Sequence, residues 1–283
     1  MTEAPPEKSK NIDQETVEGF GAEWAAFDQS GLEQAEYDAL TEAYFHIFPF
    51  DTLPANAEGY DLGCGSGRWA ARVIDRVGIL HCIDPSNQAL EVARQRLGSH
   101  PKAHFHLAAS DTIPLADGSQ DFGYSLGVLH HIPDTARALG DCVRKLKSGA
   151  PFLVYLYYRF DTRPRWFRAL WRTSDKARRV IAHLPFPVRK AVTTAIAATV
   201  YWPLARGAAL AAKLSINVAD VPLSAYRYLS FYTMRTDALD RFGTRLEQRF
   251  TQDEIAAMAR AAGLTDIVFS EREPFWVMCG IKA

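Results

Sequence analysis

Between Gly59 and Tyr158 the chain alternates short apolar runs with amphipathic stretches of helix length. The runs Tyr60–Leu62, Ile79–Ile83, Ala103–Leu107, Asp121–Leu126 and Pro151–Tyr157 predict strands, and Arg68–Arg76, Ser86–Leu97 and Asp134–Leu146 predict the helices between them. Strands separated by helix-length segments predict a parallel sheet with right-handed crossovers. The alternation breaks at 158–249, which reads as helices and loops. It resumes with a helix at Gln252–Ala262 and strands near Thr265–Ser270 and Phe275–Ile281. Upstream, residues 1–15 read as a loose polar lead-in. Residues 16–56 are rich in aromatics, Phe20, Trp24, Tyr44 and Phe45 among them, with helical spacing from Leu32 to Ile47. The pattern predicts four segments: a helical cover (1–56), an α/β core (57–157), a helical insertion (158–249) and a closing part of the core sheet (250–283).

Composition narrows the class. At 283 residues, 48% hydrophobic and 23% charged, the chain is too apolar for disorder and long enough to bury a large core. Cys64, Cys82, Cys142 and Cys279 are widely spaced with no C-x-x-C, which argues against a zinc site or a disulfide framework. The N-terminus MTEAPPEKSKNIDQE has no apolar core, and no run reaches the ~18 apolar residues of a membrane span, so the expected setting is cytoplasmic. The net charge of −1 hides an asymmetry. Residues 158–213 hold twelve Lys or Arg against two Asp, and the rest of the chain carries eleven net negative charges.

The most informative segment is Asp61-Leu62-Gly63-Cys64-Gly65-Ser66-Gly67, between a predicted strand and a helical run. Glycines there allow a sharp turn and close approach of bare backbone to a ligand. Asp84 ends the next predicted strand, 23 positions after Asp61, where a carboxylate can accept both ribose hydroxyls of a nucleoside. A dinucleotide fingerprint would need glycine at 68, where Arg68 stands.

The D-x-G-x-G-x-G spacing resembles motif I of the class I S-adenosylmethionine-dependent methyltransferases, of the type 11 or UbiE-like kind. Asp84-Pro85, Ile113-Pro114-Leu115 leading to Asp121-Phe122, and Ser125-Leu126-Gly127-Val128-Leu129-His130-His131-Ile132-Pro133-Asp134 resemble that family's later motifs in order. Together they cover about residues 57–157 and 250–283. The resemblance implies a three-layer α/β/α Rossmann-like fold, with a mostly parallel seven-stranded sheet and a reversed last strand. It implies transfer of a methyl group from S-adenosyl-L-methionine to a small-molecule acceptor, whether anionic, aromatic or lipid-like. The alternative is a non-catalytic S-adenosylmethionine-binding sensor or partner subunit.

Carried over residue by residue, the resemblance puts Asp61, Gly63, Gly65 and Gly67 around the methionine end of the cofactor. Cys64 lies among them and reads as a small packed residue, with no base to make it a nucleophile. Asp84 and Pro85 fall at the ribose. The adenine loop falls on Ser110 and Asp111, shifted because Ala109 stands where the family often has Asp. Leu126 and Gly127 fall beneath the sulfonium.

Such chemistry rests on alignment and exclusion of water, and a base is needed only when the nucleophile keeps a proton. His130 and His131 are the candidates, since imidazole titrates near neutrality. The competing reading is that they orient the helix that starts near Pro133. No metal is expected. Adjacent residues rarely aim together, and His100 and His104 are interrupted by Pro101.

Three readings of the basic insertion stay open: a solvated helical cap, a substrate lid for an anionic or partly apolar acceptor, and peripheral membrane contact through 158–213. Nucleic acid is not expected, because the bulk of the chain is acidic and no recognised binding motif is present. Tyr228, Phe231, Tyr232, Arg235 and Arg245 are expected on the substrate side, from their position just before the sheet resumes.

Overall fold

In the computed structural model, which describes residues 11–283, the apolar runs become the strands of one seven-stranded sheet. In chain order the elements are α1 (Gln14–Ala26), α2 (Gln34–Phe45), β1 (Glu58–Leu62), α3 (Ala70–Val73), β2 (Ile79–Asp84), α4 (Asn87–Leu97), β3 (Ala103–Leu107), β4 (Phe122–Leu126), α5 (Thr135–Arg144) and β5 (Pro151–Tyr155). They continue through α6 (Arg165–Ile181), α7 (Phe186–Ile196), α8 (Trp202–Lys213), α9 (Phe231–Gly243), α10 (Gln252–Ala261), β6 (Leu264–Phe269) and β7 (Val277–Lys282).

The sheet order is β3-β2-β1-β4-β5-β7-β6. β1 to β5 are mutually parallel, and β7 runs antiparallel to both β5 and β6. The chain leaves β1 for β2 on one side and returns to β4 on the other. This reversal opens a crevice at the carboxyl ends of β1 and β4, where open α/β sheets bind ligands. The core packs Tyr60, Leu62, Ile83, Phe152 and Met278 of the sheet with Leu139 and Val143 of α5 and Ile255 of α10.

Helix starts follow local chemistry. The Ser86 hydroxyl accepts the Ala89 N–H at α4, Asp134 accepts that of Arg137 at α5, and Thr251 with Glu254 forms a capping box at α10. Two expectations change. Within the predicted lead-in, residues 1–10 lie outside the described part, but Asp13 already caps α1 by accepting the Thr16 N–H at 2.8 Å, so a helix starts there. The predicted Arg68–Arg76 helix shortens to α3 and a 3₁₀ turn at Ile74–Arg76, because the residues after Gly67 are still leaving the loop.

The chain divides into two compact units. The first holds the described residues up to Ala25, Thr41–Arg159 and Leu246–Ala283, and the second holds Ala26–Leu40 and Phe160–Arg245. Sequence reading assigned residues 1–56 to one cover; here Ala26–Leu40 joins the helical segment instead. The second unit is built of helices around Tyr201, Ala205, Tyr226, Met234 and Ala238. Its Ala197–Tyr201 turn widens to a π-helix just before Pro203. Proline lacks an N–H and its ring crowds the carbonyl four residues back, so the turn opens there. Among the described residues no helix is long and apolar enough to cross a membrane.

Candidate active site

The loop after β1 is held in shape by its own backbone. The Gly63 and Cys64 N–H groups both donate to the Ile83 carbonyl, at 2.7 and 3.1 Å, and Gly67 N–H donates to Cys64 O at 2.8 Å. Gly63, Gly65 and Gly67 have φ of +74°, +53° and +72°, the left-handed region that L side chains resist. At Gly65 a Cβ would also sit 2.9 Å from Nε1 of Trp24, so a side chain there meets α1 as well as strain.

Asp84 ties the loop to the next strand. One carboxylate oxygen accepts the Gly65 N–H at 3.0 Å and the other accepts the Ser86 N–H at 2.8 Å. Burial pushes its pKa up to about 6, against the lowering effect of those two donors. Each oxygen keeps a second lone pair, which is the capacity a ribose diol requires. Asp61, at the end of β1, is buried, and one of its carboxylate oxygens has no hydrogen-bond partner among the described residues. Burial holds its pKa well above the ordinary carboxylate range. The neighbouring Tyr124 hydroxyl works against that rise, so the glycine turn sits beside a buried carboxyl group close to one hydroxyl.

Cys64 is buried. A hydrogen bond with the Cys82 thiol and burial push its thiol well above the usual range, which fits a packed residue. Pro85 lies between Asp84 and the Ser86 cap. The Ala108 N–H donates to Asp84 O at 3.2 Å, which brings the loop after β3 alongside. In that loop Ser110 is buried with its hydroxyl unpartnered among the described residues. Asp111 instead accepts the Asn11 N–H at 3.2 Å and lies 3.8 Å from the Arg137 guanidinium. Leu126 is buried at the end of β4, and Gly127 donates its N–H to Tyr155 O at 3.2 Å.

The two histidines occupy different environments. The His130 ring stacks on Tyr157 with centroids 3.8 Å apart. It is fully buried, and neither ring nitrogen has a hydrogen-bond partner among the described residues. Burial, aided by the nearby His131 and Arg249, pushes its pKa well below the usual histidine value, so the ring is neutral. His131 Nδ1 lies 2.7 Å from Leu246 O. A carbonyl only accepts, so Nδ1 carries the proton and, in the neutral ring, Nε2 keeps the lone pair.

The aromatic cover noted in the sequence and a segment that local sequence did not mark complete the surroundings. α1 packs on the site by one face: the Phe20 ring lies 4.9 Å from His131, and Trp24 abuts Gly65. At Gly21 a Cβ would come 2.5 Å from Ser86 Oγ, so only glycine allows that approach. Tyr44 lies 5.2 Å from Tyr155, whose ring borders Gly127. The 246–250 segment wraps the histidines: the Gln248 backbone N–H donates to His130 O at 2.9 Å, and its amide donates to Ile132 O at 2.7 Å. The sequence-expected Tyr232 and Arg235 lie in the second unit, where both rest on Phe27. Tyr228 is exposed.

Comparison with known proteins places the core of the chain in a family. Residues 60–154 match the family described as methyltransferase domain. An uncharacterized 37.1 kDa protein in a Streptomyces fradiae transposon is 37% identical over 97 residues, covering 33% of this chain and 28% of that one. Phosphoethanolamine N-methyltransferase 2 of Caenorhabditis elegans is 31% identical over 100 residues, covering 34% of this chain and 23% of that one. The chain thus spans less than a third of either relative's length. Among solved structures, a chain in the complex of the Haloferax volcanii Trm112 methyltransferase activator superposes with a TM-score of 0.51 at 17% identity. That match covers 94% of this chain and 96% of the other, a likeness of fold.

Proposed function

We propose that the chain is a class I S-adenosylmethionine-dependent methyltransferase that delivers the cofactor's methyl group to a small-molecule acceptor whose nucleophile carries a proton. One arrangement carries this reading: a left-handed glycine turn pinned by the Asp84 carboxylate, beside the unpartnered oxygen of Asp61. When bound, S-adenosylmethionine supplies a methyl group on a sulfonium, activated by its positive charge. Asp84 would hold the ribose, and Asp61 with the bare backbone of Gly63–Gly67 would hold the methionine end. Ser110 would face the adenine side, whereas Asp111 is engaged by Asn11 and Arg137. α1 excludes water from the loop through Trp24 and Phe20.

The rings of Phe20, Trp24, Tyr44 and Tyr155 favour an aromatic or otherwise apolar acceptor body. The phosphoethanolamine methyltransferase likeness covers only the core of the chain, so it does not transfer that acceptor. His131, its Nδ1–H fixed by Leu246 O, is positioned to take the nucleophile's proton at Nε2. His130, neutral and stacked on Tyr157, supports it by packing.

The test is isothermal titration with S-adenosylhomocysteine, followed by release of that product from S-adenosylmethionine across a panel of phenols, acids and amines. Binding without turnover on any acceptor would favour a sensor. His131→Asn is expected to lower kcat about a hundredfold. Product affinity should stay within threefold. Unchanged turnover would remove His131 from the chemistry.

Asp84 gives the binding step a pH dependence with a definite sign. Ribose hydroxyls donate, so they need the ionised carboxylate. With its pKa near 6, affinity should be flat above that pH and fall below it, by about tenfold per pH unit. Titrations at pH 5, 6 and 7.5 check this; a profile still flat at pH 5 would contradict it.

A further inference from the structure

We propose that the second unit docks on an anionic lipid bilayer surface through the outward face of α6. Of the thirteen large hydrophobic residues exposed among the described residues, eleven lie between Trp166 and Tyr228, in the helical segment, and only Leu107 and Val268 lie outside it. A solvated cap would turn such residues inward, and so large an exposed apolar set marks a contact surface.

On α6 the exposed set is ordered. Trp166, Leu170, Thr173, Ala177 and Val180 recur every three or four residues, with Ala169 beside Leu170, on one stripe without a charge, and all are exposed. Trp166, Leu170 and Val180 are 53%, 52% and 69% accessible. Beside this stripe run Arg165, Arg172, Lys176 and Arg179, also exposed, at spacings that place them along one flank. The only acid on the helix, Asp175, is taken up by Arg178 and Arg179, at 2.7 and 2.9 Å. Leu204 and Leu210 of α8, and Leu214 just after it, are exposed as well.

An uncharged aromatic and aliphatic stripe edged by Arg and Lys fits the headgroup–acyl boundary of an anionic bilayer. The stripe enters the acyl edge and the cations meet the phosphates. At 17 residues α6 is about 25 Å long, and with its four flanking cations it lies in the plane of the surface. The other candidates fit less well. In a symmetric dimer through this face, a second copy would bring the same row of cations against it, like charge on like. Nucleic acid would satisfy the cations and leave Trp166, Leu170 and Val180 in water. Docking of this kind would bring the enzyme to acceptors that reside in or at the membrane.

The test is co-sedimentation of the full chain with phosphatidylcholine vesicles, with and without a third of phosphatidylglycerol. Partition should be at least tenfold stronger on the anionic vesicles and weaken with added salt. The triple variant Arg165→Gln, Arg172→Gln, Lys176→Gln should lose about a hundredfold, from about 1 kcal/mol per basic residue. The pair Trp166→Ser and Leu170→Ser should abolish the binding that survives high salt. All five positions are exposed, so circular dichroism should be unchanged in both variants. Equal partition on neutral and anionic vesicles, no partition at low salt, or full binding by the triple variant would overturn the proposal. So would a concentration-dependent dimer in sedimentation velocity that the Trp166→Ser change dissolves, since the face would then belong to a second copy. Titration with S-adenosylhomocysteine runs alongside, so failure of docking is separable from failure of the cofactor reading.

Discussion

Replacing Asp84 by alanine is expected to weaken S-adenosylhomocysteine binding by a hundredfold or more. The carboxylate acts twice. It is the group that would receive the ribose hydroxyls, and it also accepts the Gly65 and Ser86 N–H groups that set the loop and the start of α4. Hydrogen bonds to a charged acceptor contribute about 1.5–3 kcal/mol each. Alanine leaves both donors buried without a partner and lets the turn relax from the shape the ligand needs. Asparagine is not a rescue. Its NH₂ must face one of the two N–H donors, so one contact becomes donor against donor. Asp84→Asn should therefore also lose at least tenfold in affinity, and its remaining binding should no longer vary around pH 6. Titration calorimetry measures the affinity, and circular dichroism checks that the sheet persists. Affinity within threefold of the parent in the alanine variant would remove Asp84 from the site.

The largest stability effect is expected at Gly123, the second residue of β4. Tyr60 on β1 lies directly across from Gly123, and Phe122 directly across from Gly59. Each glycine makes room for the ring opposite. A Cβ at 123 would sit 2.4 Å from Tyr60 Cζ, and one at 59 would sit 2.4 Å from the Phe122 ring. Tyr60 cannot swing away cheaply. It is fully buried, and its hydroxyl donates to the Cys142 carbonyl in α5 at 2.8 Å.

Gly123→Val is expected to cost about 3–5 kcal/mol, from overpacking plus the lost buried hydrogen bond. Tyr60→Phe should cost about 1 kcal/mol. Denaturant midpoints measure both. Gly123→Ala placed in a Tyr60→Ala background should cost less than in the parent, because the ring it strikes is gone; strict additivity would show that the two positions do not press on each other.

How far the sequence could be read followed from the range of each interaction. Strand periodicity, the Ser86, Asp134 and Thr251 caps and the glycine spacing are carried by residues within a few positions of one another. The five parallel strands and the glycine loop were legible from them, whereas the hydrogen bond from Gly65 to Asp84 appears only in the fold. The order of the strands and the reversal of β7 were available only through resemblance to a family, since nothing local in Val277–Lys282 tells it to run against β5.

The histidine pair shows the limit most clearly. As sequence, His130 and His131 are equivalent neighbours. They part because the chain brings Leu246 O to one ring and Tyr157 to the face of the other, from 115 and 27 positions away. The same holds for α1, whose aromatics were visible but whose seat on Gly65 and Ser86 was not. It holds again for Ala26–Leu40, which joins the distant helical segment. The sequence by itself determined the elements, the ligand loop and the uneven charge, because hydrophobic period, capping and glycine freedom act within a turn or a strand. Only the tertiary structure decided which histidine meets the Leu246 carbonyl, which helix packs on the loop and which face of α6 stays in water. Those depend on burial and on donors and acceptors that meet only when remote segments pack.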